Sequence, residues 1–475
     1  MVVGKNGTKK SLLLRALLDG FLGYNDFKHG IRPAVPTAIE FDVSKPEKGR
    51  VIALSGTPFD RFPRQNRYVP QTTPNRYDSS SNYYYLGLAA ANGSIGTTHG
   101  VRTLAHLLFK MSRGDPKIAS STIRVLDFLG FDEHVVVVVK RNPLINFTKK
   151  DTTESASAVA GKFSFNKFKE LLASKIENEP EGKSTEALRE IFSKMRLKSY
   201  RGNLTYTLEN LPRSVDFGFG KNGVKLIIEP TKIKIDIDEI VLLLQTGILV
   251  ASHIACLPKT IRLAKSAEPQ ETTKSAVEVE PEKVNRFSAI LADTDMSSGQ
   301  WQLLSSMLGL ALTVTDNSLI LVDEPENSLH PDWQRSYVQL LGEVIAHRRG
   351  CHAVVATHSP LIASGVDGKS GNAIGMMRAK TQATLGESEA LQIAFGWDAS
   401  DVYYEIFGLS APRASRFTES ADRALELLRD GVVNTGELQK LLRELTEVAA
   451  TFPETDSMRQ VVSAMDAAFR TMRSN

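Results

Sequence analysis

The sequence predicts an α/β fold with a mixed, largely parallel sheet core, a helical arm inserted into it and a helical C-terminal cap. Three stretches carry that expectation. Leu319 to Val322 is a short continuous apolar run that ends in Asp323 and Glu324, and Ala353 to Ala356 is a second that ends in Thr357 and His358. Short apolar runs bounded by polar turns are the mark of strands buried on both faces, as in parallel sheets covered by helices. The third stretch opens the chain: Gly4 to Ser11 (GKNGTKKS) follows two valines and runs into the helix-like LLLRALL. Ligands of such folds bind beyond the carboxyl ends of the strands, so each run also points at a site.

Composition bounds the rest. The chain has 475 residues, 42% hydrophobic and 24% charged, which suits a globular protein of two to three domains. A net charge of +4 is too small to argue for nucleic acid by itself. Cys256 and Cys351 lack metal-ligand spacing, which argues against a disulfide framework and for a reducing, cytoplasmic setting. No basic-then-apolar leader opens the chain. The most apolar stretch, Ile240 to Leu257, is broken by Gln245, Thr246, Gly247, Ser252 and His253, and reads as a buried helix ending near Gly247 rather than a membrane span.

Residues 1–100 read as a first lobe. Gly4 to Ser11 resembles a phosphate-binding loop, whose glycines let backbone N–H groups wrap phosphate oxygens. Gly4, Asn6, Gly7, Lys9, Lys10, Ser11 and Leu12 are the candidate nucleotide contacts. Lys10 would reach the β- and γ-phosphates and Ser11 would ligate Mg²⁺. Lys9 stands where such loops normally have glycine, and its side chain either crowds the phosphates or adds charge to them. Only Met1 to Val3 precede the loop, fewer than the about five to six residues of an average strand, so either an upstream segment or part of an edge of the sheet is expected to be missing. TAIEFDVS and GRVIALSG read as strands. Arg61, Arg64, Arg67 and Arg76 interleave with Tyr68 and Tyr77, a pattern more often a solvated loop than a nucleic-acid surface. Gln65, or alternatively Gln71, is the candidate glutamine that senses Mg²⁺.

Residues 101–285 form the predicted arm. VRTLAHLLFKM and FNKFKELLASKIEN have helical spacing, EHVVVVVKR is strand-like, and KIKIDIDEI alternates as a half-exposed strand does. Residues 264–285 are polar and poor in aromatics, as in a linker. Residues 286–375 read as a second lobe. There Ser297, Ser298, Gly299 and Gln300 precede an apolar helix, and can present hydroxyl and backbone donors to an anion or form an ordinary cap. Asp323 can hold Mg²⁺, its neighbour Glu324 can orient an attacking water, and His358 at the end of the next strand can contact the γ-phosphate. Residues 376–475 hold a short β or loop region followed by the amphipathic helices ADRALELLRDG and TGELQKLLRELTEVAATF.

Taken together, the loop, MSSGQ, DEPENSLHP and THSP resemble, in that order, an ABC-type P-loop ATPase of the SMC-like and OLD-like branch. The resemblance implies ATP and Mg²⁺ as ligands and a nucleotide sandwiched between two subunits. Ser298 and Gly299 of one chain would then meet the γ-phosphate held by the other, in a homodimer or larger oligomer. VIALSGTPFDRF, YYYLGL, LLLQTGILVASHIACLPKT and the tail beginning at Asp401 are similar to the PtuA ATPases of Septu and retron antiphage systems. That implies a separate nuclease subunit, of HNH type, regulated by ATP-driven closure, with nucleic acid engaged indirectly and no membrane. An SMC-like DNA-repair ATPase and a non-hydrolysing, nucleotide-gated scaffold are the rival expectations.

Overall fold

In a computed structural model the structure describes residues 1–3, 10–22, 49–64, 82–87, 97–111, 116–141, 214–220, 223–228, 240, 244, 249–259, 291–367, 376–379, 388–391, 394–408, 413–432 and 436–474. FNKFKELLASKIEN, TAIEFDVS, all of KIKIDIDEI but Ile240, and the linker at 264–285 lie outside these residues, as do Gly4, Asn6, Gly7, Lys9, Gln65 and Gln71. The chain divides into two compact units, Met1–Phe395 and Gly396–Asn475.

In chain order the strands are β1 (Val2–Val3), β2 (Val51–Ser55), β3 (Tyr83–Leu86), β4 (Phe131–Arg141), β5 (Ser214–Gly220), β6 (Gly223–Ile228), β7 (Leu249–Pro258), β8 (Leu291–Ala292), β9 (Leu319–Asp323), β10 (His352–Thr357), β11 (Met376–Ala379) and β12 (Ser388–Leu391). The apolar runs at 319 and 353 become the centre of a seven-stranded sheet, ordered β12-β11-β1-β10-β9-β2-β3. All neighbours are parallel except β12, which runs antiparallel to β11. The two-residue β1 is interior, between β10 and β11, so its brevity does not mark a reduced edge.

Register aligns the carboxyl ends. Val2 pairs with Ala356, Ala356 with Asp323, and Asp323 with Ser55. The carboxyl ends of β1, β10, β9 and β2 therefore lie side by side, which is how residues hundreds of positions apart reach one site.

Strand alternation sends the two faces to different helices. Val51, Ala53, Leu319 and Leu321 pack with Leu14 and Leu18 of α1 (Lys10–Leu22), both leucines fully buried. Burial of such a leucine contributes about 1.5–3 kcal/mol. Ile52, Leu54, Ile320 and Val322 face a larger core with the helices α2 (Thr97–Met111), α3 (Pro116–Phe128), α4 (Ser298–Thr313) and α5 (Pro331–Ile345). Trp301, Leu304, Met307, Leu308 and Leu312 of α4 are buried around its circumference, the pattern of a helix enclosed by protein.

The described part of 101–285, read as a helical to mixed arm, holds both helices and strands. After α2 and α3 come β4 to β7, which with β8 form an antiparallel five-stranded sheet ordered β6-β5-β4-β7-β8. The apolar stretch from Ile240 thus ends as a strand from Leu249, paired with β4, where helical spacing had been read only as far as Gly247. Among the described residues no helix is long and apolar enough to cross a membrane.

The second unit packs α6 (Ser415–Arg429), α7 (Gly436–Ala449) and α8 (Ser457–Ser474) around Ala424, Leu438, Leu442, Leu445, Val462 and Phe469. β11 and β12, in the stretch read as a short β or loop region, belong to the main sheet, and the second unit starts at Gly396.

Candidate functional site

Five of the expected residues meet at the carboxyl edge of the sheet. Lys10 and Ser11 open α1, Asp323 ends β9, Glu324 follows it, and His358 follows β10. Lys10 is a buried residue, and its ammonium donates to Nε2 of His358 at 2.8 Å. With Lys10 charged, Nε2 is the acceptor of that bond and the imidazole is neutral. The environment agrees: burial first, then the Lys10 charge, hold the His358 pKa below its ordinary value, against the pull of Glu324. Glu324 Oε1 lies 3.5 Å from the same nitrogen. Burial also lowers the Lys10 pKa to about 8, with Glu324, Glu326 and Asp323 opposing.

Ser11 Oγ donates to Asp323 Oδ1 at 3.1 Å. The other carboxylate oxygen, Oδ2, is buried and has no hydrogen-bond partner among the described residues. A buried carboxylate oxygen without a donor is costly, and a hard cation satisfies it. Burial raises the Asp323 pKa to about 6, opposed by the Ser11 bond and reinforced by Glu324 and Asp60. Ser11 and Asp323 therefore fit as the pair that could hold Mg²⁺.

Glu324 turns the chain with a φ of 47°, in the left-handed region unusual for a residue with a side chain. Its N–H still donates to Ala356 O at 2.9 Å, so the turn stays tied to β10. Strained backbone of this kind is held where the surroundings enforce it, and it gathers at functional sites. The enforcement comes partly from Gly56, just past β2. Its N–H donates to Asp323 O at 3.0 Å, and a Cβ at Gly56 would lie 2.1 Å from Glu324 O.

The residues before α4 behave as a cap. Ser297 Oγ accepts from the Gln300 N–H at 3.2 Å, and Gln300 Oε1 accepts from the Ser297 N–H at 3.0 Å, a complete capping box. Ser298 is left exposed at the first helical position. Gly299 is buried, and a Cβ there would lie 2.3 Å from Ser328 O. The helix start thus rests on the turn that follows Glu324. Leu12 continues α1 half-buried.

Residues not singled out from the sequence complete the site. Glu326 accepts from Thr357 Oγ1 at 2.8 Å and from the His358 N–H at 2.5 Å. Burial raises its pKa, opposed by those bonds. Asp60, also buried, accepts from Tyr85 Oη at 2.8 Å. Glu326 lies inside the same acidic run as Asp323 and Glu324, but only the pairing of β9 with β10 shows what it faces.

Residues 251–364 match the family described as "AAA domain, putative AbiEii toxin, Type IV TA system". That span covers α4, Asp323, Glu324 and His358. Over that span the chain is similar to an AAA/ABC-type ATPase domain. A curated relative, Protein ea59 of Escherichia phage lambda, is 39% identical over 67 residues, which is 14% of this chain and 13% of that protein. Lys10 and Ser11 lie outside the matched span and reach His358 and Asp323 through the sheet.

Proposed function

We propose that the chain is an ATP-hydrolysing switch that dimerises around MgATP and controls a separate nuclease in defence against phage. The observation that carries it is the convergence of Lys10, Ser11, Asp323, Glu324 and His358 at one edge of the sheet. In this reading Lys10 neutralises the β- and γ-phosphates. Ser11 and Asp323 hold Mg²⁺, which supplies charge neutralisation to the phosphates. Glu324 orients the attacking water and takes its proton, and neutral His358 contacts the γ-phosphate. Positioning and electrostatics are the main terms in such chemistry.

The exposed Ser298 at the start of α4 supports delivery of that helix end to a nucleotide held by a second copy. A defence setting is supported by the resemblance of Val51 to Phe62, Tyr83 to Leu88 and the tail from Asp401 to PtuA ATPases. The toxin in the description of the matched family points the same way.

The test uses purified full chain and its Glu324→Gln variant. Turnover by the former, and a stable dimer of the latter in MgATP by sedimentation, are expected. Turnover unchanged in Glu324→Gln removes that residue as base. MgATP binding without turnover in the natural chain replaces the reading with a nucleotide-gated scaffold. Turnover accelerated by DNA alone replaces it with a DNA-acting ATPase. An HNH nuclease that binds the chain, with an activity that changes on adding MgATP, supports the partner; indifference to nucleotide removes it.

A further inference from the structure

We infer that Glu326 is a positioning residue that sets the aim of His358, a role that rests on the ATPase reading above. Both oxygens of its carboxylate are committed to the segment that carries the histidine: Oε1 to the His358 N–H and Oε2 to Thr357 Oγ1. Thr357 Oγ1 in turn accepts from the Ser359 N–H at 2.9 Å. Ser359 Oγ donates to Gln334 Oε1 at 2.6 Å, and Gln334 Nε2 donates to Leu329 O at 2.9 Å. Three consecutive residues, Thr357 to Ser359, are thereby latched to the turn and helix that follow Glu324.

The latch has a chemical consequence. Nε2 of His358 faces both Lys10 and Glu324, and where the ring sits depends on where its backbone is held. Glu326 is the acceptor that fixes that backbone. It has no place among the proposed contacts to phosphate, metal or water, so it acts through His358. Groups that orient a contact residue in this way are worth about 10- to 100-fold when removed.

The experiment is a double-mutant cycle on the full chain, using Glu326→Ala, His358→Ala, the pair, and Glu326→Gln. Glu326→Ala should lower kcat by about 10- to 100-fold while MgATP binding stays within about threefold. In the His358→Ala background the same change should cost no more than about twofold, because the residue it positions is gone. Glu326→Gln should recover most of the loss, since its amide oxygen still accepts from His358 N–H and its NH₂ can donate to Thr357 Oγ1. A full further loss in the His358→Ala background overturns the inference, because Glu326 then acts independently. Hydrogen exchange of the amides in 355–361 gives a readout without turnover. Faster exchange in Glu326→Ala but not in Glu326→Gln supports the latch, and unchanged exchange in Glu326→Ala overturns it. If the natural chain binds MgATP and hydrolyses none, the ATPase reading fails, and the exchange result alone decides the latch.

Discussion

Gly56→Ala adds one methyl group where the structure has no room for it. The new Cβ would lie 2.1 Å from Glu324 O and 2.7 Å from Gln302 Nε2. The glutamine is the end of a flexible side chain and can withdraw. The carbonyl cannot withdraw alone: the Glu324 N–H is bonded to Ala356 O, and the Gly56 N–H to Asp323 O. To reach ordinary carbon–oxygen contact the two backbones must separate by about 1.3 Å, far outside the attractive well. Overpacking of that size costs about 1–3 kcal/mol. A displacement of about 1 Å at a group that must orient water costs about 100-fold in kcat. The expected result is a destabilised variant with kcat reduced about 100-fold and MgATP affinity changed only severalfold, because Lys10 and Ser11 come from α1. Denaturant unfolding, steady-state turnover and equilibrium binding measure the three quantities. Gly342→Ala is the control: it lies inside α5 with nothing within 4 Å of the new Cβ, and should gain about 0.5–1 kcal/mol. If Gly56→Ala turns over like the natural chain, the backbone of Glu324 does not carry the orientation of the water.

Other expectations follow from the same geometry. Glu324→Gln should lower turnover by at least about 100-fold with MgATP binding retained, as loss of a positioned base does; retention of turnover in a single-turnover assay would contradict it. Asp323→Asn should stabilise the Mg²⁺-free protein in a pH-dependent way. The folded pKa is about 6 and the ordinary one 3.8, so between these values the folded state keeps a proton that the unfolded chain loses, and the native protein loses stability as pH rises through that window. The advantage of the Asp323→Asn variant should therefore be small below about pH 4, grow up to about pH 6 and level off near about 3 kcal/mol at most. Unfolding curves on either side of that window check the sign, and Mg²⁺ should reverse it by binding only the aspartate. Ser297→Ala should cost about 1 kcal/mol through loss of the cap on α4, read from the urea midpoint at constant slope.

How far the site was legible depended on where each residue's reason lies. Lys10, Ser11, Asp323, Glu324 and His358 were readable because each ends or begins an element whose apolar pattern is local. A strand buried on both faces announces itself by a continuous run, and its first polar residue must stand at its end. The cap at Ser297 was only the alternative to an anion-binding reading, and the structure shows the capping box between Ser297 and Gln300. The antiparallel sheet of β4 to β8 was less legible, because its strands are separated by long intervals of sequence and its pairing is non-local.

The sequence by itself determined the chemistry available: a basic loop before a helix, an acid pair after one buried strand, a histidine after another. Periodicity and composition are local properties, and they suffice to place functional groups at strand ends. Only the tertiary structure decided the company those groups keep. The order β1-β10-β9-β2 brings Lys10 to His358, Ser11 to Asp323 and Gly56 beneath Glu324, and closes Glu326 onto the histidine's backbone. The physical reason is that strand order and register are settled by burying helices on both faces of one sheet, a cooperative property of the whole domain, whereas hydrogen-bond partners across strands leave no trace in the spacing along any one of them.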